Sequence, residues 1–171
     1  AVNFYLSLFA DGRLLETTYA PPGGPTPAGS VLTIRFELGG TEYVALNGGP
    51  AFDFTPAMSL VAYCDDQARV DQLWEALLEG GVASQCGWLT DRFGVSWQVV
   101  PRAFIERVGD PDRAAVQRMF AAMFTMVKLE LDVLLAPMLR EDPTPVVLAG
   151  PPRDRAVFRD VTAHASMLDG E

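Results

Sequence analysis

A single histidine, His164, and two cysteines, Cys64 and Cys86, are all the imidazole and thiol that 171 residues offer. Ser-His-Asp and Cys-His catalytic arrangements need an imidazole beside the nucleophile, and common zinc sites draw on several His or Cys ligands. His164 sits in a polar segment near the C-terminus and is expected at the surface. Two cysteines make no secreted disulfide framework, so a reducing cytoplasm is the expected home. No apolar stretch reaches the ~18 residues of a membrane span, and the first residues carry no signal-peptide pattern. Positive charge is scarce too: 13 Lys and Arg stand against 22 Asp and Glu, a net charge of -9 at pH 7. Phosphate-rich partners call for clustered cations, so neither nucleic acid nor a membrane is expected as a partner. The densest basic group, Arg153, Arg155 and Arg159, is interrupted by Asp154 and Asp160 and suits a solvated tail.

With 49% of its residues apolar and 20% charged, the chain suits one folded domain or two small modules sharing a core. AVNFYLSLF, Ala1 to Phe9, has no breaker and predicts a helix, although it starts without a cap. GRLLETTYA is strand-like, and the Pro- and Gly-dense Ala20 to Ser30 must be a loop. In VLTIRFEL, Leu32, Ile34, Phe36 and Leu38 alternate with Thr33, Arg35 and Glu37, the period of a half-buried strand. Gly39-Gly40 then turns the chain so that EYVALN returns antiparallel. After the loop NGGPAFDFTPA comes a further strand, MSLVAYC. Asp65 or Asp66 caps a helix whose Val70, Leu73, Trp74, Leu77 and Leu78 share one face, and Gly80-Gly81 ends it. A strand pair turning around Asp91 to Gly94 follows. Asp110-Pro111 predicts the start of a second long helix with the stripe Val116, Met119, Phe120, Met123 and Val127. From Glu141 the chain becomes Pro-rich and polar, which predicts a linker and a loosely held tail.

Three segments carry a resemblance: LNGGPAFDF, the run SLVAYCDDQARVDQLW from Ser59, and CGWLTDRFGVSWQVVP. They resemble the PhnB-like family, whose members often carry the label 3-demethylubiquinone-9 3-methyltransferase, within the vicinal oxygen chelate superfamily of glyoxalase I and bleomycin-resistance proteins. The resemblance runs from about Ala1 to Ala136. It implies an α+β fold of paired βαβββ modules, a mixed sheet curled into a cup with helices outside. Residues 1–57 would form the first module, with its first strand absent from this chain, 58–109 the second, 110–140 a C-terminal helical region and 141–171 the linker and tail. On that fold Val95, Trp97 and Val99 face the helices, while Ser96, Gln98 and Val100 face the cup. Leu60, Ala62 and Cys64 likewise point to helix packing, Ser59, Val61 and Tyr63 point inward, and Tyr43 and Asn47 join them from the first module. Ser59 and Gln98 resemble the positions where metal-dependent relatives place a histidine and a glutamate. A hydroxyl and a carboxamide supply neither imidazole nitrogen nor charge, so no metal centre is expected.

Three functions stay open at this level. The first is a small-molecule-binding cup whose candidate lining is Tyr43, Asn47, Ser59, Tyr63, Trp88, Ser96 and Gln98, neutral polar groups on an apolar wall, with Trp88 placed to stack on a flat ligand. The second is the methyltransferase of the family label, which would bring S-adenosylmethionine; the residues themselves predict no cofactor. LNGGP leads to another strand, PPGGP sits in a loop and LEGG ends a helix, so the glycines serve turns rather than a nucleotide-type loop. The third is a non-catalytic dimeric binding or scaffold module, since an incomplete first sheet leaves an edge that another chain would pair with. A homodimer is expected in either binding case. No residue is singled out as catalytic: Cys86 has no histidine to activate it, and nearby Arg92 is a weak substitute. Asp91, in the DRFG turn, is either a base at the cup mouth or an Asx-type turn stabiliser.

Overall fold

A computed structural model describes residues 1–49 and 51–139. The expected linker and tail, with His164 and the three clustered arginines, lie outside the described residues. The first element is helix α1 (Val2–Leu8), uncapped by any side chain, with Val2 and Tyr5 buried. Strands β1 (Arg13–Tyr19), β2 (Val31–Leu38) and β3 (Thr41–Leu46) follow and form an antiparallel sheet in the order β1-β2-β3. Gly39 and Gly40 both take positive φ, 57° and 75°, as a two-residue hairpin loop requires, and this sets the Leu38↔Thr41 register.

The second unit is a complete βαβββ module: β4 (Leu60–Cys64), α2 (Gln67–Leu78), β5 (Val82–Ala83), β6 (Trp88–Thr90) and β7 (Ser96–Pro101). Its sheet has the order β4-β7-β6-β5, with β4 and β7 parallel and the other pairs antiparallel. Helix α2 starts where Asp66 accepts the Arg69 amide at 2.8 Å. It buries Val70, Leu73, Trp74 and Leu77 against Ala62, Cys64, Trp97 and Val99 on one face of that sheet. Each such aliphatic side chain, taken wholly from water, contributes roughly 1.5–3 kcal/mol. The same core takes in α1 and the Phe36 and Leu38 side of the first sheet, which joins the two units.

The C-terminal region differs from the sequence expectation. A helix α3 (Arg102–Val108) follows β7 directly, and the second long helix, α4, spans only Arg113–Met123. Asp112 rather than Asp110 is its cap, accepting the Ala115 amide at 3.0 Å, while Asp110 accepts the Asp112 amide one turn earlier. Pro111 therefore precedes the helix. Val127 falls outside it, half exposed: the Thr125 and Met126 amides bond the Ala122 and Met123 carbonyls three residues back, which closes the helix, and beyond it the carbonyls of Met126 and Val127 accept the amides of Cys86 and Gly87 at 2.8 and 2.7 Å. Helix α5 (Leu131–Leu135) and a short 3-10 turn (Ala136–Leu139) close the described chain. Val100, Phe104, Met119, Met126, Leu129 and Leu134 form a second core on the face of the sheet away from α2. No helix among the described residues is long and apolar enough to cross a membrane.

Candidate ligand-binding cleft

Strand parity builds one wall of the site. In β4, Ala62 and Cys64 are buried against α2, so Val61 and Tyr63 emerge on the opposite face. In β7, Trp97 and Val99 point to α2, and Gln98 and Val100 point away. The register aligns Val61, Gln98 and Trp88 in one row across β4, β7 and β6, with Tyr63 beside Val100 in the next. Opposite this wall stand Phe104 and Ile105 from α3, Phe120 and Met123 from α4, and Leu129 from the loop before α5. Wall and roof flank a half-open cleft of about 250 Å³.

The roof is tied to α2. Gln67, the first residue of that helix, donates to the Leu129 carbonyl at 3.2 Å and accepts the Leu131 amide at 2.7 Å. Beside it Lys128 pairs with Asp71 and with Glu130, the latter at 3.0 Å. These bonds hold the Lys128 ammonium above its ordinary value, and the bond from Lys128 keeps the Asp71 carboxyl below the usual carboxylate range. At the rim, Arg102 stacks its guanidinium 5.5 Å from the Tyr63 ring centre and donates to Asp65 at 2.8 Å.

Inside the cleft the polar groups are few. Gln98 Nε2 donates to Ser59 Oγ at 2.9 Å, so the pair anticipated as site residues is joined by a hydrogen bond. The Cys86 thiol lines the cleft from a left-handed backbone position (φ 58°), and burial raises it above the ordinary thiol value, which favours thiol over thiolate. Tyr63, Trp88 and Gln98 thus come together. Ser59 reaches the site through Gln98, and Ser96 is buried opposite Thr90 but is not among the lining side chains. Tyr43 lies elsewhere. It stacks on Phe36 at 5.6 Å and packs on the core that holds α1, while Arg35, bonded to Glu16 and Glu42, occupies the other face of that sheet. Asn47 is exposed and donates to the Val31 carbonyl at 3.0 Å. Asp91 sits on the α2 side, buried, with Oδ2 accepting from Tyr5 at 2.7 Å and Trp97 Nε1 at 2.9 Å, and Oδ1 accepting the Phe93 and Val95 amides. Its turn-forming role is evident, and it does not face the cleft.

The family model for 3-demethylubiquinone-9 3-methyltransferase matches residues 1–100, more than half of the chain. The chain belongs to this family. Among solved structures, a Bacillus cereus PhnB protein described as a 3-demethylubiquinone-9 3-methyltransferase is 31% identical, with a TM-score of 0.54, covering 58% of this chain and 87% of that one. Protein PA1353 from Pseudomonas aeruginosa is 24% identical at a TM-score of 0.48, covering 58% of this chain and 84% of that one. No curated protein sequence matches. The family match takes in the sheet wall of the cleft and stops before α3, so the roof residues all fall beyond it.

S-adenosylmethionine, implied by the family's description, is a poor fit to the described residues. Its sulfonium, ammonium and carboxylate would need charged or strongly polar partners, and the cleft lining holds no charged side chain. None of the glycine pairs leads into a helix N-terminus. For a divalent metal, the superfamily positions hold Ser59 and Gln98, already bonded to each other, and no group of three or more His, Cys, Asp or Glu comes together among the described residues. The roof escaped sequence reasoning because it joins segments tens of residues apart. Two signals were there: the stripe expected from Asp110 already held Phe120 and Met123, and in α3 Phe104 and Val108 are four apart with Gly109 following.

Proposed function

We propose that this chain is a small-molecule-binding protein of the PhnB-like branch of the vicinal oxygen chelate superfamily, working as a homodimer in the cytoplasm and without a metal. The observation that carries the reading is the cleft itself: an apolar wall and an apolar roof around one carboxamide–hydroxyl pair. A concave, largely apolar site with a few convergent polar groups is the usual form of an organic-ligand pocket. The neutral Ser59 and Gln98 donors support a metal-free site. The net charge of -9 favours a small organic partner over nucleic acid. Methyl transfer, the activity in the family's description, lacks support in the lining for the reason given above.

The test is thermal shift across a panel of small organic molecules, with metal content measured by elemental analysis in the same samples. At least one molecule is expected to raise the melting temperature without added metal. Val61→Trp, which fills the cleft from its wall, is expected to abolish that shift. A shift that survives Val61→Trp, or one that requires about one bound metal per chain, overturns the reading.

A further inference from the structure

We infer that the cleft takes an uncharged aromatic molecule of one or two rings bearing a hydroxyl or carbonyl group, and that it excludes a sulfonium cofactor; the inference rests on the cleft being the binding site proposed above. Three observations converge on this class. The first is charge. Among the described residues no lining side chain is ionisable to a carboxylate or a cation, and the nearby guanidinium of Arg102 is engaged outside the lining by Asp65 and the Tyr63 ring. An ion entering the cleft would exchange water for apolar surface with no counter-charge, which is strongly unfavourable.

The second is shape and surface. Trp88 and Tyr63 present rings from the wall, and Phe104 and Phe120 face them from the roof, packed edge to face at 5.3 Å and 73°. Met123 adds a polarisable thioether, which makes favourable contacts at ring edges. A ligand between such walls gains most by being flat and aromatic itself. The volume, about 250 Å³, lies just under the ~300–1,000 Å³ of sites for drug-sized molecules, so one or two fused rings fill it.

The third is the single polar pair. Gln98 spends one N–H on Ser59 and keeps its remaining amide capacity for the cleft. Because the Ser59 hydroxyl both donates and accepts, the carboxamide can present either its oxygen or its nitrogen to a ligand. One hydroxyl or one carbonyl on the ring system is what this pair can satisfy. A ring without such a group would leave amide atoms unmatched.

The experiment uses the full chain labelled with carbon-13 at its methionine methyl groups. Met123 lines the cleft, whereas Met119 is buried and Met58 exposed. Four probes are titrated by NMR and calorimetry at neutral pH: 2-naphthol, 2-naphthoate, 2-naphthylmethylammonium and S-adenosylmethionine. 2-Naphthol is expected to shift the Met123 signal and to bind at least about tenfold more tightly than either charged analogue. S-adenosylmethionine is expected to leave Met123 unmoved. Gln98→Leu is expected to weaken 2-naphthol by about threefold to tenfold while strengthening the binding of unsubstituted naphthalene, added as a fifth probe, because no amide is then left unmatched. A charged naphthalene or S-adenosylmethionine that shifts Met123 with affinity equal to 2-naphthol overturns the inference and leaves the cleft as the binding site. If no probe moves Met123, the inference falls, while the proposed function stands or falls on the thermal-shift panel and Val61→Trp.

Discussion

Asp91→Ala offers a sharp test of the structural reasoning, because the carboxylate accepts from two buried side-chain donors on different elements. Tyr5 of α1 and Trp97 of β7 both give their protons to Oδ2, at 2.7 and 2.9 Å, and the residue is 3% exposed. Removing the carboxylate strands a phenolic O–H and an indole N–H, each costing about 1–3 kcal/mol when left unpaired in a protein interior. The Phe93 and Val95 amides lie on the outer part of the turn, where water replaces Oδ1. The sum is about 2–6 kcal/mol, a large share of the roughly 5–15 kcal/mol that stabilises a domain. At ~2–4 °C per kcal/mol for a chain of this size, melting should fall by about 10 °C. Asp91→Asn keeps one oxygen and turns an NH2 toward a donor pair. The Tyr5 hydroxyl can rotate to accept it and the Trp97 indole cannot, so the cost should be about 1–3 kcal/mol, less than for alanine. Melting followed by circular dichroism reads both. A change under about 2 °C for Asp91→Ala refutes the reasoning. So does loss of cleft binding in folded Asp91→Asn, since the carboxylate lies on the far side of the sheet and has no part in ligand contact.

Gln67→Ala should loosen the roof by removing the bonds to Leu129 and Leu131. About threefold to tenfold weaker probe binding is expected by calorimetry, and unchanged affinity would mean the roof is held elsewhere. Gly87→Ala should destabilise the fold by at least about 1–2 kcal/mol, read as a lower urea midpoint. Gly87 has φ 81°, and an added Cβ would lie 2.8 Å from the Val99 carbonyl oxygen and 3.1 Å from the Leu129 side chain. The lowered Asp71 carboxyl gives the roof a pH dependence. The stability it adds is complete above the ordinary carboxylate value near ~4 and is lost as pH falls through the lowered folded value, so faster amide exchange at Leu131 should appear only in that acid window. Tyr5 acts in the opposite sense. Burial, and then the bond to Asp91, raise its phenol, so its contribution is complete below the ordinary value near ~10 and is lost as pH climbs from there toward the folded value, which alkaline melting curves should show.

The sequence made the second module legible wherever one face was unambiguously covered. Val70, Leu73, Trp74 and Leu77 follow helical spacing, whereas in β7, covered on both faces, it was the family resemblance rather than the alternation that set Trp97 apart from Gln98. The first sheet was harder. Tyr43 and Ala45 lie on the α1 side, yet Val44 and Leu46 on the other side are also apolar, so periodicity alone did not say which set was covered. Val44 and Leu46 stay 60% and 65% exposed, and the opposing charges of Arg35, Glu16 and Glu42 mark that face instead. The DRFG turn announced an Asx arrangement, but nothing local pointed to Tyr5, 86 residues away, as a partner of its aspartate. The long helix expected from Asp110 ended early for a similar reason, since the segment after it is held by the distant Cys86 turn, whose amides bond the Met126 and Val127 carbonyls.

The two sides of the cleft are unlike in what they contribute. Among the described residues, every polar side chain in the lining comes from the sheet or from the Cys86 turn, while the roof supplies phenylalanine, isoleucine, methionine and leucine side chains. Ligand chemistry and ligand size are thereby written in separate stretches of chain. Substitutions at Phe104, Phe120 or Met123 resize the chamber and alter its apolar contacts without touching its hydrogen-bonding side chains, and a change at Gln98 does the reverse. A protein divided in this way can be retuned to a larger or smaller guest by altering a few residues after position 101, while the strands that set the fold stay as they are.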